Sequence, residues 1–284
     1  MKRYINVVAV QMDIEPLKNT NNIEKSIALM KECIKTNGSV DLFVLPEDFI
    51  TGPIPNHLKT HCLHNNSNEI NIFKSFAIKY KTHIVLGSFI KNVKNKFYNT
   101  TLVLNPEGKI ILEHQKTKPA VVERNYITPG KNLNVVKTKI GTIGIINCWE
   151  LADPLIARNL VKQGANILCT PSFWTKDDLP KSINKVSKTL DIDFINYVVP
   201  SLSFQFGTLC IFSNVAGEAN IQLKTKQFRC GGAGQSQICI PIKGRVKHLT
   251  NPNEEGYIFY RYDKNIAQTY EKFTKLREDI LLER

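Results

Sequence analysis

Short apolar runs that alternate with helix-period segments constrain the fold of this chain more than any other feature. The run DLFVLPE at residues 41–47 is apolar almost throughout and is broken by a proline, which is typical of a strand buried on both faces. Residues 23–38 instead place apolar side chains at helical spacing and stop at Gly38. The alternation continues along the chain and predicts an α/β fold, with helices covering a mixed sheet system.

Periodicity and turn residues predict the remaining elements. Predicted strands cover residues 7–12, 83–90, 142–148, 165–171, 208–215, 236–242 and 256–263, and a hairpin with an NPEG turn covers 100–114. Predicted helices cover about 69–80, 152–163, 181–206 and 264–282. No linker, low-complexity segment or internal repeat separates these elements, so we expect a single domain over residues 1–284.

Composition excludes several classes of protein. Hydrophobic content of 42% supports a sizeable core, and no run of 18 apolar residues predicts a membrane span. The apolar N-terminal run lacks a small-residue cleavage site and is interpreted as a strand rather than a signal peptide. The net charge of +13 comes from lysines spread along the chain, which favours a solvated surface over a nucleic-acid site and leaves a modest attraction for anionic substrates open.

Cysteine usage indicates a reducing compartment. The chain has seven cysteines, an odd number, and no CxxC motif, and several of them lie in apolar strand-like runs. We therefore expect a cytoplasmic protein without structural disulfides.

Three polar side chains follow predicted strands at points where chemistry is expected. Glu47 follows a buried strand in VLPEDF, and Lys116 follows another in LEHQKTKP. Cys148 lies at a strand-to-helix junction in GIINCWELADP. Because the carboxyl ends of strands converge on one crevice in open α/β folds, a carboxylate, an amine and a thiol would meet there.

Each group has a role in acyl transfer. A thiol attacks a carbonyl as thiolate, and free cysteine has a pKa of about 8.5, so a nearby carboxylate such as Glu47 is needed to take the proton. Lys116 and the backbone N–H of Trp149 would stabilise the oxyanion, and the thioester on Cys148 would then be hydrolysed. Taken singly, the same residues also fit a core cysteine, a loop acid and a surface lysine.

The three segments together resemble the nitrilase, or carbon–nitrogen hydrolase, superfamily over nearly the whole chain. VLPEDFITG, HQKTKPAVVERNYITPG and INCWELADPLIARNLVKQGANILCTPSFW are similar to the family's segments around its catalytic Glu, Lys and Cys. The resemblance implies a four-layer α-β-β-α sandwich, a homodimer or larger homo-oligomer, no cofactor, and a triad of Glu47, Lys116 and Cys148. It also places Glu123 at the position of a second glutamate that orients the lysine and the substrate, with a surface acid paired to Arg124 as the alternative.

Further residues are candidates for the substrate pocket or depart from the family pattern. Trp149, Phe173 and Trp174 flank the strand ends near the thiol and form either a pocket wall or part of the core. Around residues 202–206 the family's Arg-Ala and Glu-Asn pairs are replaced, whereas Asn214 and Gly217 are kept. The substituted positions are Leu202, Ser203, Gln205 and Phe206.

Other signals carry less weight. PNHLKTHCLH contains His57, His61, Cys62 and His64, a composition that binds zinc, but it has no distant pair of ligands and is not taken as a metal site. GGAGQSQ is not a phosphate-binding loop, because no Lys-Ser/Thr follows it, and is interpreted as structural. A serine-hydrolase elbow is disfavoured because no GxSxG motif is present.

The leading functional hypothesis is hydrolysis of a carbon–nitrogen bond in a small non-peptide amide, with release of ammonia. Nitriles and carbamoyl compounds pass through similar covalent chemistry and stay open as substrates. The alternatives from other classes are acyl transfer to an amine and a catalytically weak binding protein on the same fold. Nucleic acid and membrane are not expected as partners.

Overall fold

Two β-sheets lie face to face between layers of helices in the computed structural model of the chain, which describes residues 2–176, 181–223 and 226–282. The strands are β1 (Tyr4–Asp13), β2 (Leu42–Val44), β3 (His83–Val93), β4 (Lys96–Leu104), β5 (Ile110–Gln115), β6 (Val135–Lys137), β7 (Thr142–Ile145), β8 (Ile167–Pro171), β9 (Leu209–Ser213), β10 (Val215–Ala216), β11 (Glu218–Leu223), β12 (Lys226–Gly231), β13 (Gln237–Ile240), β14 (Gly244–His248) and β15 (Gly256–Asp263). The helices are α1 (Asn19–Asn37), α2 (Leu58–His61), α3 (Asn68–Tyr80), α4 (Pro154–Lys162), α5 (Lys181–Asn184), α6 (Leu190–Phe206), α7 (Asn265–Thr274) and α8 (Leu276–Leu282).

The first sheet has the order β10-β1-β2-β3-β4-β5, and β15 also pairs with β1. The second sheet has the order β14-β13-β9-β8-β7-β6, and β11 and β12 form a separate hairpin. The centres of both sheets are parallel, since β1, β2 and β3 run in one direction and β7, β8 and β9 do likewise. In each parallel set, the carboxyl ends of the strands therefore lie at the same edge of the sheet.

Alternation along the strands divides the core into layers. On β1, Val8 and Val10 face a cluster shared with α1 and α3, whereas Val7 and Ala9 face the second sheet. In the second sheet, Ile143 and neighbouring apolar side chains point toward the first sheet and pack in the same cluster as Val7 and Ala9. The outer face of the second sheet packs on α4 and α6. The result is an α-β-β-α sandwich, which confirms the fold class expected from the sequence.

Two further observations concern the whole described chain. No helix within residues 2–176, 181–223 and 226–282 is both long and apolar enough to cross a membrane. The cysteines whose side chains are described are all free thiols; they are Cys33, Cys62, Cys148, Cys169, Cys210 and Cys239.

Several predicted boundaries are wrong for identifiable reasons. The strand predicted over 142–148 ends at Ile145, because Asn147 and Glu150 form a capping box that opens a 3-10 turn at Cys148. The final predicted helix is two helices, since Lys275 adopts a left-handed conformation with φ of 52°. The helix predicted over 181–206 is likewise the separate elements α5 and α6. The short or polar strands β6, β11, β12 and β14 were not predicted.

Candidate active site

Glu47 lies just beyond the carboxyl end of β2, deep between the two sheets. Its Oε1 accepts hydrogen bonds from Lys116 Nζ and Asn99 Nδ2, each at 2.8 Å, and its Oε2 accepts from the backbone N–H of Phe173 at 3.0 Å. The chain here passes so close to β3 that a Cβ at Gly87 would stand 1.9 Å from the carbonyl oxygen of Pro46. A glycine at that position on β3 is therefore required for Glu47 to reach the site.

Lys116 follows β5 and is only 1% exposed. Its backbone N–H donates to the carbonyl oxygen of Asn99 at 2.8 Å, which extends the β4–β5 pairing by one more bond. Its Nζ donates to Glu47 at 2.8 Å and to Glu123 Oε2 at 2.6 Å. The ammonium therefore bridges two carboxylates inside the protein.

Glu123 opens a 3-10 turn, and three groups fix its carboxylate. Besides Lys116, the side chain of Asn99 donates to its Oε1 at 2.8 Å and the backbone N–H of Ala120 donates to its Oε2 at 2.7 Å. The surface pairing with Arg124 considered above is not what holds this carboxylate. The structure places Glu123 beside Lys116, where the family resemblance expected it.

Cys148 begins the 3-10 turn after β7 and has an unusual backbone. Its φ is 48°, in the left-handed region that non-glycine residues rarely occupy, and it is 6% exposed. The thiol lies close enough to the Glu47 carboxylate for the negative charge of Glu47 to raise the pKa of the thiol. The three residues that the sequence singled out from distant segments thus come together at one point between the sheets.

Burial and mutual charge set the protonation of this cluster. Burial, together with the negative charge of Glu47, holds the pKa of the Cys148 thiol well above its usual value. Burial also raises the pKa of Glu47, although Lys116 opposes the shift. Burial disfavours the charge on Lys116, but Glu123 and Glu47 outweigh it, so the pKa of the ammonium is well above its ordinary value. The resting site therefore holds a neutral thiol next to a carboxyl group of raised basicity and a permanent cation.

A second buried carboxylate ties the two loops of the site together. Glu150 accepts hydrogen bonds from His114 Nε2 at 2.8 Å, from both the backbone N–H and the hydroxyl of Thr117 at 2.6 Å, and from the backbone N–H of Asn147 at 2.7 Å. Burial opposes its charge, but His114 and these donors lower the pKa of Glu150. The turn after β7 and the loop after β5 are thereby fixed relative to each other.

The aromatic candidates have different surroundings. The rings of Trp149 and Trp174 lie 5.6 Å apart, and the Trp174 ring stacks on Phe194 at 5.2 Å. Trp174 is buried in the same apolar cluster as Cys148, and its indole N–H donates to Asp191 at 2.7 Å. Phe173 meets the site through its backbone N–H, while its side chain packs against the core on the first sheet.

Two amide side chains that contact the cluster, Asn99 and Asn147, were not predicted as site residues from the sequence. Asn99 lies in mid-strand on β4, yet its amide donates to both Glu47 and Glu123. Asn147 was treated only as part of a motif, although its side chain lies 3.0 Å from Oδ1 of Asn99. The sequence contains one signal for Asn147, since it is an amide directly before the predicted nucleophile. An unpaired amide is unfavourable in a core strand, so its presence there indicates a specific hydrogen-bonding partner.

The remaining sequence signals lie outside this cluster. Among the described residues, no three His, Cys, Asp or Glu side chains are grouped as metal ligands; the rings of His57 and His61 simply pack edge to face at 5.4 Å. In the replaced segment of α6, Leu202 and Phe206 are buried in the apolar cluster under the helix, and Gln205 is exposed.

Two open clefts lie at the opposite end of the strands. They have volumes of about 990 and 520 Å³ and share Lys2, Lys137, Thr138 and Ile140 in their linings. These residues are near the amino ends of the strands, whereas the Glu47 cluster is at the carboxyl ends. Neither cleft is lined by a residue of the candidate site.

The sandwich carries a thiol, two carboxylates and an ammonium at the carboxyl edge of its sheets. A model of the carbon–nitrogen hydrolase family matches residues 6–271, and the chain belongs to that family.

Relatives of known structure or name span almost the same length. A probable nitrilase of Schizosaccharomyces pombe is 24% identical over 271 residues, which cover 94% of this chain and 92% of the relative. The omega-amidase NIT3 of Saccharomyces cerevisiae is 22% identical over 70% of this chain and 74% of its own, and its crystal structure superposes with a TM-score of 0.79. A carbon–nitrogen hydrolase from Helicobacter pylori superposes with a TM-score of 0.82 at 18% identity, covering 98% of this chain and 95% of its own.

Proposed function

We propose that this protein hydrolyses small non-peptide amides through a thioacyl intermediate on Cys148 and releases ammonia. The observation that carries the proposal is the buried cluster in which Lys116 bridges Glu47 and Glu123 beside the thiol of Cys148. No single residue type would indicate this chemistry, but the set provides a nucleophile, a base and an electrophilic partner in one buried cluster.

In the first half-reaction, Sγ of Cys148 attacks the amide carbonyl carbon while Glu47 accepts the thiol proton. Because the thiol pKa is raised, the resting sulfur is protonated, and a base in direct contact is needed to form the nucleophile. Glu47 suits this role because its own pKa is raised, so the protonated form is accessible. Collapse of the tetrahedral intermediate breaks the C–N bond, and Glu47 returns the proton to the departing nitrogen, which leaves as ammonia.

In the second half-reaction, water attacks the thioester carbon. Glu47 takes one proton from the water, the C–S bond breaks, and the thiol of Cys148 is reprotonated as the carboxylic acid leaves. One carboxyl group thus serves as base, acid and base again without a second titrating residue.

Lys116 and the backbone N–H of Trp149 form the proposed oxyanion site. The ammonium stays charged because Glu123 and Glu47 hold its pKa high, so its role is to stabilise negative charge and not to transfer a proton. Glu123 fixes the position of Nζ with its bond at 2.6 Å. Substrate is expected against the Trp149–Trp174 pair, whereas Phe173 contributes its backbone N–H to Glu47.

The test is an ammonia-release screen over small amides, carbamoyl amino acids and nitriles, with wild type and Cys148→Ala. We expect turnover of amides by the wild type, none by the variant, and a wild-type-like circular dichroism spectrum for both. Mass spectrometry of the acid-quenched wild type should show a thioacyl adduct on Cys148. Full activity in Cys148→Ala would reject the mechanism, and the lack of both turnover and adduct would favour the binding-protein alternative.

Nitrile hydrolysis is the second candidate, favoured by the names of several relatives, including the probable nitrilase of S. pombe and arylacetonitrilases that match about nine-tenths of the chain. Attack of the same thiol on a nitrile carbon gives a thioimidate, whose hydrolysis passes through the same thioester. Comparison of each amide with its nitrile in the screen separates the two candidates.

A further inference from the structure

The smaller of the two clefts near the amino ends of the strands has an unbalanced set of charges. Its volume is about 520 Å³, and its cationic lining side chains are Lys2, Arg3, Lys137 and Lys264. No Asp or Glu is among the described residues that line it. The larger cleft differs, because Asp41 and Glu107 line it together with its lysines. The smaller cleft is called the amino-end cleft below.

Two of these cations are neutralised by acids that lie outside the lining. Lys2 Nζ pairs with Asp41 at 2.8 Å, and the guanidinium of Arg3 pairs with Asp263 at 2.8 Å. Lys137 and Lys264 form no ion pair within the described chain. The amino-end cleft therefore keeps two positive charges that the protein itself does not balance.

The ammonium group of Lys264 is enclosed by the protein and lacks an acceptor. Its Nζ is buried, and no described atom accepts a hydrogen bond from it. The backbone N–H of Lys264 donates to the carbonyl oxygen of Arg3 at 3.1 Å, which fixes the base of the side chain at the cleft. A buried donor without an acceptor is unfavourable, and more so when it is charged. Because a lysine stem is flexible, the ammonium can turn toward an anion in the cleft.

The hydroxyl of Tyr262 is a second unsatisfied group on the same lining. Tyr262 is 3% exposed, and its hydroxyl has no hydrogen-bond partner within the described chain. Burial raises the pKa of this hydroxyl; the backbone N–H of Ala267 opposes the rise but does not reach hydrogen-bond geometry. Two unpaired donors thus lie at the junction of β15 and α7.

Helix α7 begins at this junction. The residues of its first turn that line the cleft are Asn265, Ala267 and Gln268. The N–H groups of a first turn carry partial positive charge, which acidic side chains commonly offset. The first turn of α7 has no acidic residue, and Lys264 at its N-cap makes no capping bond. Asp263 accepts only from the N–H of Asn265, at 3.0 Å, and is already paired with Arg3. A helix N-terminus beside an unpaired lysine favours an anion.

We propose that the amino-end cleft binds a phosphate group, held by the ammonium groups of Lys264 and Lys137, the hydroxyl of Tyr262 and the N-terminus of α7. A phosphate monoester carries a charge of about −1.5 to −2 at pH 7, which matches the two unbalanced cations, and its oxygens accept several hydrogen bonds. The exposed amide of Asn166 on the same lining is a further donor. The volume also leaves room for a small organic group on the phosphate. The cleft shares no residue with the Glu47 cluster, so this inference does not depend on the proposed function.

The experiment is isothermal titration calorimetry with inorganic phosphate, at an ionic strength held constant with sodium chloride. We expect saturable binding to the wild type. Lys264→Met should weaken it at least about 10-fold and Tyr262→Phe at least about 3-fold, because each removes a hydrogen bond to the anion. Lys31→Met, the same change at an exposed position on α1, should bind like the wild type. Cys148→Ala should also bind like the wild type, since phosphate held by the catalytic lysine would be sensitive to that change.

Thermal unfolding distinguishes a binding role from a structural one. Lys264→Met removes a buried donor that the protein does not satisfy, so without phosphate its Tm should equal or exceed that of the wild type. Added phosphate should raise the Tm of the wild type and leave that of the variant unchanged, because a ligand stabilises only the protein that binds it.

Phenyl phosphate distinguishes the two sources of a phosphate group. Tighter binding of phenyl phosphate than of inorganic phosphate would identify a phosphorylated metabolite as the ligand, and equal binding would identify the free anion; both results support the site. Heat no greater than that of chloride at matched ionic strength would overturn the assignment. So would an affinity that Lys264→Met and Tyr262→Phe leave unchanged, or the loss of binding in Cys148→Ala.

Discussion

At the scale of single residues, Lys116 explains why the buried acids of the site can exist at all. A lysine that is almost fully buried is rare, and here its ammonium contacts Glu47 and Glu123 at distances typical of charge-assisted hydrogen bonds. The same contact lowers the pKa of Glu123 against the effect of burial. Removing the cation would leave two buried carboxyl groups side by side with no positive charge between them.

Lys116→Met is expected to lower kcat by at least about 100-fold, because it removes an oxyanion donor. It should also destabilise the fold by about 3 kcal/mol at neutral pH. Lys118→Met is the matched control, since Lys118 is exposed and pairs with Asp153 at the surface. Rates from ammonia release and unfolding free energies from urea titration check both parts, and a normal rate in Lys116→Met would reject the proposed role.

The stability loss of Lys116→Met should depend on pH in a defined direction. The lowered pKa of Glu123 in the wild type contributes stability above its unfolded pKa, which is lost as pH falls through the folded pKa. In the variant that contribution is absent, and raised carboxyl pKa values disfavour the folded state as pH rises. The difference from wild type should therefore be larger at about pH 8 than at about pH 4, and the opposite trend would contradict the charge assignment.

The sequence predicted the site residues that stand at strand ends and missed those inside strands. Glu47 and Cys148 follow apolar runs, so their convergence can be inferred from the architecture. Asn99 takes part only because the β4–β5 register sets it opposite Lys116, and register is a property of the paired strands. The buried position of Asp48 could not be predicted from the sequence, because it depends on a left-handed backbone conformation that the residue type does not specify.

At the scale of elements, the loop after β5 and the turn after β7 act as one unit because Glu150 bonds to both. Its partner His114 is on β5 and is as fully buried as Glu150 itself. Both carboxylate oxygens of Glu150 are bonded to the protein, so we expect Glu150 to be a positioning residue whose effect is transmitted through the backbone of Thr117 and Asn147. An error of about 1 Å in this alignment is enough to slow a reaction by two orders of magnitude.

Glu150→Gln is expected to lower kcat by about 10- to 100-fold with little change in KM, because the groups become misaligned while the pocket surface is kept. The amide can still accept from some donors, but it lacks the negative charge that strengthens the hydrogen bonds of the carboxylate. Asp153→Asn is the control, since it keeps the cap on α4 and lies on the same segment at the surface. Steady-state kinetics on one amide checks the split, and an effect confined to KM would show that Glu150 does not position the site.

At the scale of the whole molecule, an exposed aromatic patch lies on the outer surface of α6 and α7. Tyr197 and Phe204 lie on one face of α6 with 70% and 61% exposure, and Phe273 on α7 is 90% exposed. The Tyr270 ring joins the two helices by contact with Phe204 and a hydrogen bond to its carbonyl oxygen. Exposed apolar patches are common at protein interfaces, and we propose that a second copy of the chain covers this one about a two-fold axis.

Phe204→Glu is expected to halve the mass measured by light scattering on a sizing column, because like charges would face each other across the axis. Ile72→Glu is the control, as Ile72 is exposed on α3 in the opposite helical layer. An unchanged mass in Phe204→Glu would place the oligomer contact elsewhere, and a monomeric wild type would remove the expectation altogether.

The site is divided between the two sheets: the base and the lysine extend from the first, and the sulfur extends from the second. A nascent chain that has emerged from the ribosome only as far as β5 contains the base and the lysine but not the nucleophile. In a collapsed intermediate with unjoined sheets, the thiol lacks the base that takes its proton. During refolding, enzymatic turnover should return only after the two sheets have docked. The rate at which activity is regained should therefore equal the rate of sheet docking.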